Sequence, residues 1–162
     1  MKSIFIMIFL YICSAGTEAQ TTESTLDQAE LMKQLAGIWK CDIGKDTVAT
    51  WSMIPYGSGL EASLKYVTKG KVVKEGIGVY GYDKSIGKCA EAGIIIGKDI
   101  GVYAFWFISE KKYLLIPYAD LKDPEKASFK MEVEFKSPDV QVESTFINDK
   151  LVITKRWTKS KD

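Results

Sequence analysis

Residue types that commonly carry catalysis are sparse in this chain. Histidine, the commonest general base and metal ligand, is absent from all 162 residues. A nucleophilic serine or cysteine needs a base within reach, and no spacing of lysines or carboxylates singles one out. The sequence contains no CxxC, HExxH or EF-hand pattern. It therefore predicts no enzyme, no metal site and no cofactor.

One glycine-rich stretch matches a nucleotide-binding pattern as a string. Residues 76–81 read GIGVYG, which fits the dinucleotide fingerprint GxGxxG. That fingerprint binds pyrophosphate only where it ends a strand and begins a helix. Here a turn follows, over residues 82–87. We therefore interpret the stretch as a strand whose glycines permit sharp bending at a barrel corner.

Large apolar side chains are the feature that points to a function. Residues 102–108 are apolar on both strand faces, and a second apolar run follows over residues 113–118. In a barrel interior such residues could hold a small apolar ligand. Alternatively, they fill the interior, or the second face of 102–108 packs against a partner chain. The predicted apolar ligand contacts are Tyr103, Phe105, Phe107, Tyr113, Leu115, Phe129, Met131 and Phe146.

Glu75 is the candidate polar contact for such a ligand. It shares a strand face with Ile77 and Val79. If that face is interior, Glu75 is a buried carboxylate that needs a partner or stays protonated. The alternative is that the strand turns its other face inward, with Tyr80 and Tyr82. The sequence leaves both orientations open.

A period of two along most of the chain predicts the elements that position these residues. From Phe129 to Phe135 every second residue is apolar, as in a half-buried strand. We predict ten strands joined by short turns, which makes neighbours antiparallel and favours an all-β, up-and-down closed barrel. The apolar spacing over residues 26–35 predicts a short preceding helix, capped by Ser24 or Thr25. The strands begin near Ile38, Thr47, Leu60, Lys71, Lys88, Val102, Lys112, Ala127, Asp139 and Lys150.

Three short motifs add a resemblance to a known superfamily. The helix leads into Gly-x-Trp at residues 37–39, Gly-Tyr-Asp lies at 81–83, and Lys-Arg-Trp lies at 155–157. The chain thus resembles the calycins, and among them small exported bacterial lipocalin-like proteins. The resemblance implies that Trp39 plugs the closed end and that Arg156, the only arginine, packs across its ring. Haem-binding calycin barrels hold iron through histidine, so haem chemistry does not carry over.

The first 19 residues have the features of a signal peptide. An apolar run over residues 4–12 precedes a small and polar stretch that ends at Ala19. The run is too short to span a bilayer. Cys13 leaves lipid anchoring as an alternative, but the residue before it is larger than a lipobox prefers. We predict soluble export to a periplasm or the medium, a linker and helix over 20–37, and the barrel over 38–160.

Cleavage of this leader leaves two cysteines, Cys41 and Cys89. An oxidising compartment permits a disulfide, and two cysteines allow one pairing. Both lie early in odd-numbered strands of an up-and-down barrel, which places both near its floor. Whether a bridge forms depends on their separation.

These observations lead to one functional prediction and one alternative. We expect an exported protein that binds or sequesters a small apolar molecule inside its barrel. A net charge of +1 without a cluster of like charges predicts no nucleic-acid partner. The alternative is a non-catalytic structural or interaction module whose barrel core is filled. The oligomeric state is not specified by the sequence.

Overall fold

Alternating apolar side chains give each strand one face that must be buried, and the sheet buries these faces by closing on itself. The structure, a computed structural model, describes residues 26–161. In this part of the chain ten antiparallel strands follow one another around a closed barrel, and the last strand pairs with the first. The predicted all-β, up-and-down barrel is therefore confirmed.

The strand boundaries agree with the predicted starts to within two residues. A helix, α1 (Gln28–Met32), continues into a 3-10 turn over Lys33–Leu35, and two further 3-10 turns, Tyr118–Asp120 and Pro124–Lys126, separate the seventh and eighth strands. The strands are β1 (Gly37–Gly44), β2 (Thr47–Tyr56), β3 (Gly59–Thr68), β4 (Lys71–Asp83), β5 (Lys88–Ile95), β6 (Ile100–Ser109), β7 (Lys112–Pro117), β8 (Phe129–Ser137), β9 (Val140–Ile147) and β10 (Lys150–Lys159).

Tight turns hold consecutive strands in register. Lys45 and Asp46 have φ values of 52° and 61°, and Asn148 and Asp149 have 48° and 61°. Two consecutive residues with positive φ form the hairpin turn whose twist matches that of the flanking strands. The GxGxxG stretch lies wholly inside β4, so its interpretation as a strand is also confirmed.

The N-cap of helix α1 is two or three residues later than predicted. The carboxylate of Asp27 accepts a hydrogen bond of 2.9 Å from the backbone N–H of Glu30 and so caps the helix. Ser24 and Thr25 lie outside the described residues, as do the predicted leader 1–19 with Cys13 and the linker that follows it. None of the described helices is long and apolar enough to cross a membrane.

The helix covers one end of the barrel and is fixed there by its first residue. The backbone pairing of β6 with β7 is irregular after Phe107. The amide of Gln28 donates to the Phe107 carbonyl at 3.0 Å and accepts from the Phe107 N–H at 2.7 Å. Met32 and Leu35 are buried beneath. The pairing of β5 with β6 ends at Cys89 and Phe105, so this polar side chain satisfies backbone groups of β6 that lie beyond it.

Trp39 closes this end, as the resemblance implies, but its cationic partner differs from the prediction. The indole is fully buried and donates to the Leu35 carbonyl at 2.8 Å. The ammonium of Lys159 lies 4.9 Å from the ring centroid. Arg156 is exposed, because it is adjacent to the buried Trp157 and strand residues alternate between faces. The predicted Arg156–Trp39 contact is wrong, and Lys159 takes that place.

Aromatic rings fill the barrel above Trp39. The Phe135 ring meets Trp39 edge-on at 6.1 Å between centroids, and Tyr113 packs against Phe107 at 5.2 Å and Phe105 at 5.5 Å. Such tilted and edge-to-face pairs are favourable arrangements of aromatic rings. The covered half of the interior is therefore solid.

Candidate functional site

The other half of the interior holds a cavity of about 290 Å³. Its walls come from β2 to β6, and its rim includes Lys98 and Asp99 of the turn between β5 and β6. That turn lies at the far end of these strands from α1, which contacts the beginning of β5 and the end of β6. The cavity therefore opens to solvent at the uncovered end of the barrel.

A row of glycines creates this space. Gly78, Gly93 and Gly101 lie opposite one another on the three adjacent strands β4, β5 and β6. All three face inward, because each is two residues from an inward side chain, Tyr80 in the case of Gly78. A wall without side chains leaves room at a level where other strands would fill it. The predicted role of the glycines as bending points thus misses their main consequence.

Apolar groups line most of the remaining wall. Trp51 lies on β2, and Ala62 and Leu64 lie on the inward face of β3. The indole of Trp51 packs against the ring of Trp157 at 5.8 Å and against that of Tyr80 at 6.2 Å. These groups provide a firm apolar surface of the kind found in small-molecule sites.

One carboxyl group interrupts this apolar wall. Glu91 lies between Tyr80 and Tyr103 on the neighbouring strands, one inward position below the glycine row. It makes no ion pair with any residue between 26 and 161. Burial raises the pKa of Glu91 from 4.5 to about 7, the Tyr80 hydroxyl offsets part of that rise, and the Glu143 carboxylate adds to it.

The hydroxyl of Tyr80 is a second polar group at the cavity. The residue is 6% exposed, and its hydroxyl oxygen has no hydrogen-bond partner of good geometry among the described residues. Burial, with the charge of Glu91, holds the pKa of this phenol well above its usual value. Tyr80 is therefore a neutral group that can donate or accept one further hydrogen bond.

A buried ion pair faces Glu91 from the opposite wall. Glu143 on β9 is 4% exposed, and one carboxylate oxygen lies 2.6 Å from the ammonium of Lys155. The other oxygen accepts a hydrogen bond of 3.0 Å from the indole N–H of Trp157. Burial alone would lower the pKa of Lys155, but the neighbouring carboxylate raises it above its usual value. The cation that faces Glu91 across the barrel is thus already committed to a partner, and the other cation at the cavity, Lys98, lies at its rim.

The inward face of β9 is the opposite of the one we predict. The sequence analysis placed Phe146 inside, whereas the structure buries Gln141, Glu143 and Thr145. Alternation alone does not say which face is interior. Pairing with β10 decides it, because Gln141 lies opposite the buried Trp157.

Few of the predicted ligand contacts line the cavity. Of the nine residues only Tyr103 lines it. Glu75 is on the outer face beside the exposed Ile77, so the alternative orientation of that strand, with Tyr80 inward, is the one observed. Four others are buried in the packed core: Phe105, Phe107, Tyr113 and Leu115. Phe129 and Met131 face the interior and are partly buried, and the Phe129 ring lies 5.9 Å from that of Tyr103.

Sequence reasoning missed Trp51, Leu64, Tyr80 and Glu91. Glu91 gives a weak signal, because the outward residues beside it, Ala90 and Ala92, are no more polar than its inward neighbours. The informative signal was the placement of glycines on three consecutive strands. Their alignment becomes visible only when the register between those strands is known.

The two cysteines are buried and free in the described part of the chain. Burial raises the pKa of the Cys89 thiol to about 12 and raises that of Cys41 as well. Protonated, inaccessible thiols are poor nucleophiles. No disulfide joins Cys41 and Cys89 in the structure.

Comparison with known proteins leaves the family open. No protein-family model matches the sequence, and no curated protein matches it either. The closed ten-stranded antiparallel barrel is consistent with a lipocalin or calycin-like fold. The fold and the cavity are therefore the grounds on which function is argued.

Proposed function

We propose that this chain is an exported, lipocalin-like protein that binds or sequesters a small, largely apolar molecule in its barrel and catalyses no reaction. The observation that carries this proposal is the cavity of about 290 Å³ at the uncovered end. Its volume is near the lower end of the range for small-molecule sites. Burial of an apolar ligand there would remove apolar surface of both molecules from water.

The location of the cavity favours binding over a purely structural role. A barrel with a filled core would have side chains where Gly78, Gly93 and Gly101 stand. Each missing side chain forgoes dispersion contacts and burial of apolar area. A Cβ at Gly78 would lie 3.2 Å from the Ala92 carbonyl oxygen, and one at Gly93 would lie 3.1 Å from the Ile77 carbonyl oxygen, so the close approach of these strands depends on glycine.

Mass spectrometry of the gently purified protein tests the proposal directly. We expect a small apolar compound that is bound under native conditions and released on denaturation. The same spectrum gives the oligomeric state. A native mass that equals the polypeptide mass, together with no binding of the apolar fluorophore N-phenyl-1-naphthylamine, contradicts the proposal.

A matched pair of substitutions places the binding site. Ala62→Leu adds an isopropyl group to the cavity wall, whereas Ala92→Leu adds the same group to the outer face of the next strand but one. We expect Ala62→Leu to weaken fluorophore binding at least about tenfold and Ala92→Leu to leave it unchanged. Equal effects of both substitutions would place the site elsewhere.

Export is tested by the mature N-terminus. Sequencing of the protein from culture is expected to begin at Gln20, which follows the predicted leader. An intact Met1 contradicts export. A lipid attached to Cys13 would identify the anchored alternative.

A second candidate function is interaction with another apolar surface. Ile77, Ile94 and Ile100 lie in one row across the outer faces of β4, β5 and β6, and they are 67%, 41% and 68% exposed. Contiguous exposed apolar groups often mark contact sites. Sedimentation of the purified protein at increasing concentration tests this function, and Ile77→Ser is expected to reduce any association.

A further inference from the structure

We propose that the ligand is an apolar amine, whose ammonium group binds Glu91 while the Tyr80 hydroxyl accepts a second N–H. This inference rests on the proposed function and specifies the chemistry of the ligand. It concerns the polar end of the ligand. The apolar part of the ligand would contact the apolar cavity walls described above.

The first support is that the charge of Glu91 lacks compensation. Two carboxylates, Glu91 and Glu143, border the interior, and one ammonium, Lys155, balances one of them. The difference is one negative charge when Glu91 is ionised. At the rim, Lys98 and Asp99 together add no net charge. A carboxylate that is only partly exposed to solvent is stabilised by a cationic partner, and a ligand cation would supply it.

The second support is the acceptor capacity of the Tyr80 hydroxyl. Its proton is directed towards the Glu91 carboxyl, without good hydrogen-bond geometry, and its oxygen accepts no hydrogen bond from the described residues. Tyr80 and Glu91 occupy opposed positions on adjacent strands and both border the cavity. An ammonium has three N–H donors and no acceptor, so it can donate to both groups at once.

The third support is access along the glycine row. Gly93 is the next inward residue from Glu91 towards the rim, and Gly78 and Gly101 flank it. A ligand that enters from the uncovered end passes over the backbone at Gly78 and Gly93, while the Tyr103 ring lies over Gly101 and borders the path to the carboxyl. Its apolar part then lies against Trp51 and Leu64.

The same charges disfavour a carboxylic acid as ligand. The ammonium of Lys155 lies 2.6 Å from Glu143, so a fatty acid would have to compete with a formed ion pair. It would also bring a second negative charge towards Glu91. Like charges in a site of low dielectric repel strongly.

Three probes with one alkyl chain test the inference: octylamine, 1-octanol and octanoic acid, titrated into the purified protein by calorimetry at pH 8. We expect octylamine to bind at least about tenfold more tightly than octanol, and octanoic acid to bind most weakly. Glu91→Gln should remove the preference for the amine and retain octanol binding. Glu75→Gln, on the outer face, should change neither.

The pH dependence separates a charged contact from a polar one. Octylamine stays protonated from pH 5.5 to 8.5, as aliphatic amines do, whereas Glu91 ionises with a pKa near 7. Octylamine affinity should therefore rise at least about tenfold over this range in the wild type and stay flat in Glu91→Gln. The titratable and charged groups around Glu91 are Tyr80, Tyr103, Tyr113, Glu143, Lys155, Lys98 and Asp99, and of these Tyr80 and Glu143 shift its pKa.

Each outcome has one meaning. Amine preference that Glu91→Gln abolishes supports the inference, and a smaller loss in Tyr80→Phe supports the second contact. Equal binding of amine and alcohol, tightest binding of the acid, or binding of none of the three overturns it. The proposed function is judged separately, by the co-purified compound and by the Ala62 and Ala92 variants. Circular dichroism establishes that each variant is folded.

Discussion

At the scale of single residues, Glu91 destabilises the unliganded protein. Its pKa of about 7 in the folded state lies above the usual 4.5, so the folded state retains a proton that the unfolded state loses. Glu91 therefore contributes fully to stability below about pH 4.5, and this contribution is lost as the pH rises through 7. The difference corresponds to at most about 3 kcal/mol.

The substitution Glu91→Gln tests this linkage. We expect the variant to gain about 1–3 kcal/mol relative to the wild type between pH 4.5 and pH 8, because the amide does not ionise. Urea denaturation at both pH values measures the difference. Glu75→Gln, which makes the same change on the outer face of β4, serves as the control. A Glu91→Gln variant that is less stable than the wild type at pH 8 contradicts the linkage.

The buried pair of Glu143 and Lys155 depends on both partners. Lys155→Met removes the cation and leaves a carboxylate that is 4% exposed with only the Trp157 indole. We expect a loss of about 3 kcal/mol in the free energy of unfolding. The double variant Glu143→Gln/Lys155→Met should recover most of it, because the amide oxygen still accepts from Trp157 and no charge is buried.

A double-mutant cycle by urea denaturation measures this coupling. Additive effects of the two single substitutions would show that the ion pair contributes nothing. The exposed pair of Lys136 and Glu134 is a useful comparison, since surface pairs contribute about 1 kcal/mol or less.

At the scale of elements, the closed end depends on the last residue of β10. We expect Lys159→Ala to lower the free energy of unfolding by about 1 kcal/mol, because its ammonium lies over the Trp39 ring. Arg156→Ala should have an effect within about 0.5 kcal/mol, since that side chain is exposed. Denaturation followed by tryptophan fluorescence compares the two, and the reverse order would restore the Arg156 assignment.

The strands and turns could be predicted from the sequence because their signals are local. A period of two, as from Phe129 to Phe135, reflects one buried face, and glycine or Asx turns such as Asn148-Asp149 fix where strands reverse. Both signals lie within a few residues of chain. All ten strands were therefore predicted close to their observed starts.

Which face of a strand points inward could not be predicted in the same way where the two faces do not differ clearly in polarity. On β9 both faces contain plausible core residues, and on β4 the glycines give no contrast. The inward face there is set by register with neighbours, such as Trp157 opposite Gln141. The site depends on those strands, so Glu91 and Tyr80 were missed while the barrel was not.

At the scale of the whole molecule, the barrel interior has a packed half and a half that contains the cavity. The half beneath α1 is packed with aromatic rings around Trp39, and the uncovered half is bordered by glycines, apolar side chains and Glu91, which has no ion-pair partner among residues 26–161. The packed core and the cavity therefore lie at opposite ends of the barrel. This arrangement is expected when a binding site is kept open by a rigid scaffold, because features of such a site often oppose stability.

The substitution Ala62→Leu tests this division through its sign. A larger side chain in a filled core forces strain and destabilises by about 1–3 kcal/mol. In a void it buries apolar surface, so we expect Ala62→Leu to raise the free energy of unfolding by about 1 kcal/mol while ligand binding is lost. Ala49→Leu, at a fully buried position on β2 outside the cavity lining, should instead destabilise the protein. Urea denaturation of the two variants decides the matter: destabilisation by both would mean that the uncovered half is as tightly packed as the covered one.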